Sequence, residues 1–234
     1  MIFDPLYIIL LIPGVLLASW ASLKVNHAFR KYSRIPAQSR LSGAQVARLI
    51  LDRNGLSDVP VERVTGHLSD HYDPKARRLR LSPEVHDSFS IAAQGIAAHE
   101  AGHALQHQAA YAPLQLRSAL VPIAGFGSRF AWILIMIGLV MASAGTGGLM
   151  IAKLGVLLFA TTVLFTLVTL PVEFNASTRA KAILTQQGMI TIQEKSGVDA
   201  VLNAAAMTYV AGAVTAVLQL LYWVVRLGLI GGDD

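Results

Sequence analysis

Four long stretches of this 234-residue chain carry no charged side chain, and they constrain its fold more than any other feature. They lie between Asp4 and Lys24, between Arg129 and Lys153, between Lys153 and Glu173, and between Asp199 and Arg226. An apolar helix needs about 20 residues to cross a bilayer, and each stretch supplies close to that. A soluble protein with four fully buried helices would need a polar shell around them, and too few residues remain to build one. Only 14% of the residues are charged, against the roughly 25% usual in soluble domains. The expected class is a mainly α-helical integral membrane protein with about four transmembrane helices.

The charges suggest an orientation. Most of the 19 basic residues fall between Lys24 and Arg129, and Arg179, Lys181 and Lys195 lie between the third and fourth stretches. The opposite side keeps only Lys153 and Arg226 among basic residues, together with Asp4, Asp233 and Asp234. The bias of Lys and Arg toward cytoplasmic loops then puts both long connections in the cytoplasm and both termini outside. No basic segment precedes the first stretch, and Lys24 to Arg34 follow it, so it reads as a retained anchor rather than a cleavable signal peptide. The same distribution accounts for the isoelectric point of about 9.7 without nucleic acid. Cysteine is absent, which removes disulfides, thiolate chemistry and Cys-type zinc sites.

Local signals divide the rest. Residues 1–24 form transmembrane helix 1, with Pro13-Gly14 as a kink. Residues 25–118 form a small cytoplasmic α+β region, zincin-like in plan. Within it Ser42-Gly43-Ala44-Gln45 is a capping box that opens a helix over 43–54, with Val46, Leu49 and Ile50 on its apolar face. Val61–Gly66 and Leu79–Ser82 read as two strands of a hairpin, and the turn-rich His71-Tyr72-Asp73-Pro74 lies between them. Residues 119–172 hold transmembrane helices 2 and 3. Pro113, Pro122, Gly125 and Gly127 mark residues 112–128 as a broken interfacial linker before them, and Ser143 to Gly148 join the two spans. Residues 173–199 form cytoplasmic helices, one stopping at Gly188 and another opening at the capping box Ser196–Asp199. Residues 200–234 form transmembrane helix 4 and a tail.

His99-Glu100-Ala101-Gly102-His103 is an H-E-x-x-H motif on a helix expected to run from an N-cap at Asp87 to about Gln108. Histidines four positions apart sit one above the other on a helix face, so both imidazoles can reach one tetrahedral Zn²⁺. Glu100 then points beside the metal, where it can take a proton from the water that the metal acidifies. A chance match on an Ala-rich helix is the competing explanation. The setting weighs against it, because these ionisable groups occupy a stretch with almost no other charge between Asp87 and Arg117.

A catalytic zinc needs a third protein ligand. The metzincin pattern would place Gly at 106 and His at 109, where this chain has Gln106 and Ala109. His107 continues the same face but stands about 12 Å along the axis from His99. It is better read as a supporting or surface group. Glu173 is the stronger candidate, as the only acidic residue between Glu100 and Glu194, at the expected cytoplasmic end of the third span. A solvated helix start is the alternative for it.

The chain resembles the YugP-type neutral zinc metallopeptidases, a bacterial membrane-embedded family, and more distantly the HtpX and CaaX-prenyl-protease clan of gluzincins. The likeness rests on residues 68–74, on Leu81-Ser82-Pro83, on residues 98–106 and on residues 171–177, and it covers nearly the whole length. It implies that His99, His103 and Glu173 hold one zinc ion, that Glu100 is the general base, and that the protein is a multi-pass enzyme of the bacterial plasma membrane. The wider clan commonly carries Asp four residues after the glutamate ligand, whereas this chain has Ser177. Ser177 can still hydrogen-bond a ligating histidine. Asn175, Asp70, His71 and Arg179 are further candidates for orienting the ligands.

The expected reaction is hydrolysis of peptide bonds in membrane or membrane-adjacent proteins at the cytoplasmic surface. Tyr209 is the first candidate for stabilising the oxyanion, with His71, Tyr72 and Arg179 as rivals; an interfacial belt residue is the alternative for Tyr209. Leu79, Arg80 and Leu81 could form an edge strand that pairs with substrate, or only an internal hairpin. His67, His71 and His86 could bind a second metal, although their irregular spacing favours a structural role. The competing function is a non-catalytic zinc-binding membrane chaperone or assembly factor, for which Glu100 would be superfluous.

Overall fold

The computed structural model describes residues 4–143 and 145–229. Ala144 in the expected loop, and Asp233 and Asp234 in the tail, lie outside the described residues. The chain is mainly helical. Its elements are α1 (Pro5–Tyr32), α2 (Gly43–Arg53), β1 (Val61–Arg63), β2 (His71–Asp73), β3 (Arg78–Leu81), α3 (Pro83–His86), α4 (Ile91–Gln108), α5 (Ala112–Ala142), α6 (Thr146–Gln186) and α7 (Ile192–Arg226). Among the described residues, four helices are long and apolar enough to cross a membrane: α1, α5, α6 from Gly147 on, and α7.

Two compact units are present. One comprises Ala21–Leu114 and Pro171–Thr208. Its core joins Val46, Ile50 and Leu51 of α2, Leu79 and Leu81 of β3, Ala97, Ala98 and Ala101 of α4, and Ala180 and Leu184 of α6. Burying each such Leu or Ile contributes about 1.5–3 kcal/mol. The α2 capping box forms as the sequence predicts, with Gln45 N–H donating to Ser42 Oγ and Ser42 N–H donating to Gln45 Oε1. The short α3 precedes α4, whose N-cap is Ser90 rather than Asp87; Ala93 N–H donates to Ser90 Oγ.

The sheet departs from the expected two-stranded hairpin. Three strands are ordered β1-β3-β2, with β1 parallel to β3 and β2 antiparallel to it. The segment read as a turn supplies a strand, because its turn chemistry sits on one side only. Asp73 Oδ1 accepts from Lys75 N–H and Ala76 N–H, each at 3.0 Å, and Arg77 takes a left-handed φ of 51°. The reversal is thereby confined to 74–77 and His71–Asp73 is left to pair. Leu79–Leu81 is consequently the central strand rather than an edge.

The other unit comprises Met1–Trp20, Gln115–Leu170 and Tyr209–Asp234. Ile135, Val156, Tyr222 and Trp223 form one of its cores, with Trp132 and Trp223 packed edge to face. The expected linker at 112–128 is instead part of the continuous helix α5, with Pro122 inside it. Gly127 there, and Gly155 on α6, serve packing between helices. A Cβ on Gly127 would lie 2.6 Å from Thr161 Oγ1 of α6, and one on Gly155 would lie 2.8 Å from the Ile135 backbone nitrogen of α5. Helices α6 and α7 also run further than expected. Pro171 lies inside α6, and α7 opens at Thr191 and Glu194, which cap each other, rather than at Ser196.

Candidate metal centre

His99 and His103 project from the middle of α4, and Glu173 from α6, all within the first unit. One ligand atom from each lies within 4.8 Å of the others. Glu173 Oε2 stands 3.2 Å from His99 Nε2 and 3.6 Å from His103 Nε2. The imidazole rings meet nearly perpendicularly, with centroids 4.7 Å apart. Glu173 is 2% exposed and His103 7%.

Gly102 sets how closely α4 and α6 approach here. A Cβ at that position would lie 2.9 Å from the backbone oxygen of Ala176. The clash would be with backbone, which cannot swing aside. We expect Gly102→Ala to cost about 1–3 kcal/mol of stability through overpacking and to weaken metal binding by moving Glu173 from the histidines. Thermal melts and zinc titration of the detergent-purified chain check both; wild-type values in each would show that the approach is not tight.

The donor set fits a zinc ion. Each histidine has its Nδ1 engaged elsewhere, His99 with Ser177 Oγ at 3.1 Å and His103 with Gln106 Oε1 at 2.9 Å. Both Nε2 atoms are left to face the carboxylate, and two imidazoles with one carboxylate are a known catalytic zinc set. The pocket also favours positive charge. Burial pushes the His103 imidazole down, but its hydrogen bond to Glu173 and the charges of Glu100 and Glu173 outweigh that and raise it above its usual value.

Glu100 is 8% exposed and points to the sheet, where Glu100 Oε2 accepts from Tyr72 N–H at 3.1 Å. The direction of that bond follows from the strand register. Leu79 N–H donates to Pro60 O and Leu81 O accepts from Val64 N–H, so these two residues face β1. Arg78 and Arg80 then face β2, and the Tyr72 backbone faces the open edge. Edge strand β2 therefore meets Glu100.

The remaining candidates separate. Ser177 Oγ touches His99 Nδ1. Asn175 and Arg179 act one step further out, with Arg179 Nε donating to Asn175 Oδ1 and Gln106 Nε2 donating to the same oxygen. Asp70 does not orient a histidine: Ser82 N–H and Ser82 Oγ both donate to its carboxylate. Burial raises the Asp70 carboxyl, the Ser82 bonds oppose that, and the charge of Glu100 adds to the rise. The His71 ring donates from Nδ1 to Ser69 O and likewise holds no ligand. The Leu79–Leu81 expectation of an edge strand is corrected, since Leu79 and Leu81 are fully buried and Arg80 pairs with Glu62 and Asp73. His67 pairs with Glu84 and His86 with Asp87, so they form no cluster with His71. His107 Nδ1 lies 2.9 Å from Tyr72 Oη, a supporting position. Tyr209 lies on α7 in the other unit, 38% exposed. Sequence reasoning missed Gln106, the Tyr72 N–H and the close approach at Gly102.

Fold and donor set together define a class: a membrane protein with the ligand groups of a zinc peptidase. The sequence signature of the family described as "Putative neutral zinc metallopeptidase" matches residues 7–228, and the chain belongs to that family. It is 48% identical over 219 residues to "Putative membrane protease YugP" of Bacillus subtilis (strain 168), covering 94% of this chain and 95% of that one. No solved structure matches it.

Proposed function

We propose that the chain is a membrane-bound zinc metalloendopeptidase of the gluzincin type, cutting membrane or membrane-adjacent proteins at the cytoplasmic surface. The observation that carries this reading is the convergence of Glu173 Oε2 with the Nε2 atoms of His99 and His103. These three residues would hold the ion. Zinc, when bound, supplies Lewis acidity and lowers the pKa of water toward neutrality.

The chain's own groups do the rest. Glu100, beside the ligands on α4 but outside their cluster, takes the proton from the attacking water and delivers it to the leaving amine. The open edge of β2 can hold an extended substrate backbone beside Glu100, with Tyr72 O as its acceptor. The long basic connections favour a cytoplasmic catalytic region.

The test is cleavage of an unfolded membrane-protein substrate by the purified full-length chain in detergent. Cleavage should cease on chelation and return on adding zinc. A chain that binds zinc stoichiometrically yet cuts nothing would favour the chaperone or assembly role instead.

A further inference from the structure

The hydrogen-bond chain behind His103 has a logic that no ligand motif contains. Gln106 is completely buried, three positions after His103 on α4. Its Oε1 meets His103 Nδ1 at 2.9 Å, and its Nε2 donates to Val172 O at 2.8 Å and to Asn175 Oδ1 at 3.0 Å. An amide can be turned end for end without changing its shape, so its orientation has to be argued from its partners. Val172 O is a carbonyl and can only accept. Asn175 Oδ1 takes a hydrogen bond from Arg179 Nε at 2.8 Å, and a guanidinium can only donate. Arg179 thus fixes which end of Asn175 faces Gln106. Asn175 and Val172 together fix which end of Gln106 faces the histidine.

A turned Gln106 amide would set oxygen against two acceptors and nitrogen against the imidazole. Both hydrogen bonds that Gln106 donates would be lost, and each buried partner left unsatisfied is costly. The end of Gln106 that faces His103 is therefore an acceptor. His103 must carry a proton on Nδ1, which leaves Nε2 as the atom that would meet a metal.

Building on the zinc-centre reading above, we infer that Gln106 is the positioning residue of His103: Arg179, Asn175 and Gln106 act in series to lock that imidazole in its metal-ready tautomer, using an amide where a carboxylate would serve other sites. The amide is required because the group must accept from one side and donate twice on the other. A carboxylate would accept well from His103 but would face Val172 O and Asn175 Oδ1 with nothing to donate. Gln106→Glu should consequently fail as badly as Gln106→Leu, although Glu is the stronger acceptor. Asn175→Asp keeps an acceptor for both Arg179 and Gln106 and should behave far better than Asn175→Leu.

The experiment uses the full-length chain in detergent, with zinc alone as the ligand. Zinc dissociation constants come from competition with a chromophoric chelator, and the His103 tautomer from ¹⁵N imidazole shifts of metal-free protein with its imidazoles neutral. We expect Gln106→Leu, Gln106→Glu and Asn175→Leu each to weaken zinc about 10- to 100-fold, the usual cost of losing an outer hydrogen-bond partner. Asn175→Asp should stay within about threefold of wild type, a small part of that range. The His103 signals should show an Nδ1-protonated ring in wild type and a mixture in Gln106→Leu. An unchanged tautomer in Gln106→Leu, or tighter zinc in Gln106→Glu, overturns the inference. A wild-type chain that takes up no zinc instead overturns the metal-centre reading, and the nitrogen shifts still decide the role of Gln106.

Discussion

Replacing Glu100 with Gln is expected to lower turnover about 10²- to 10⁴-fold, the span attributed to a positioned acid–base group, while leaving zinc content unchanged. The two halves of that expectation rest on different contacts. Zinc is retained because Glu100 lies outside the cluster formed by His99, His103 and Glu173. The fold is retained because the hydrogen bond that Glu100 accepts from Tyr72 N–H can be accepted equally by a Gln oxygen. What the amide cannot do is take a proton. Metal analysis beside a cleavage assay separates the two effects. Loss of zinc in Glu100→Gln would make Glu100 a ligand or a structural support. Full turnover with zinc bound would remove it as the base and transfer the role elsewhere in the pocket.

Legibility in the sequence followed the range of the interactions concerned. The pairing of His99 with His103 was readable because helical periodicity alone brings the two positions to one face. Glu173 was readable because an isolated acid at the end of a long apolar stretch is costly without a partner, and that isolation is visible in one dimension. Gln106 gave no such signal. Its partners lie 66 and 69 positions away, and an amide on an Ala-rich helix has no motif. The strand at His71–Asp73 was hidden for a related reason. Asp73 and Pro74 advertise a turn, while the tendency of Tyr72 to extend becomes structure only through pairing with Leu79. Gly127 misled in the opposite sense. In a soluble chain such a glycine interrupts a helix, whereas here it lets α5 approach the backbone of α6 at Leu158.

Glu173→Gln should abolish tight zinc binding without unfolding the chain. The buried carboxylate supplies the only negative charge within the donor cluster, facing both Nε2 atoms at 3.2 and 3.6 Å. Gln has nearly the same volume, so the packing around Val172 and Ala176, both fully buried, is conserved. In the metal-free protein the buried carboxylate is paired with both imidazoles, and Gln gives up those charged contacts. The melting temperature of metal-free Glu173→Gln is therefore expected to fall below that of metal-free wild type. The larger difference emerges on adding zinc. A ligand that binds only the folded state stabilises it by about 2.7 kcal/mol at a hundredfold excess over its dissociation constant. Wild type should gain that increment and Glu173→Gln should gain none at the same zinc concentration. The loss of affinity should exceed the roughly 10- to 100-fold cost of an outer partner, because a ligand itself has been removed. Equal zinc-dependent stabilisation in the two chains would show that the ion sits on the α4 histidines alone, and α6 would then have no part in holding it.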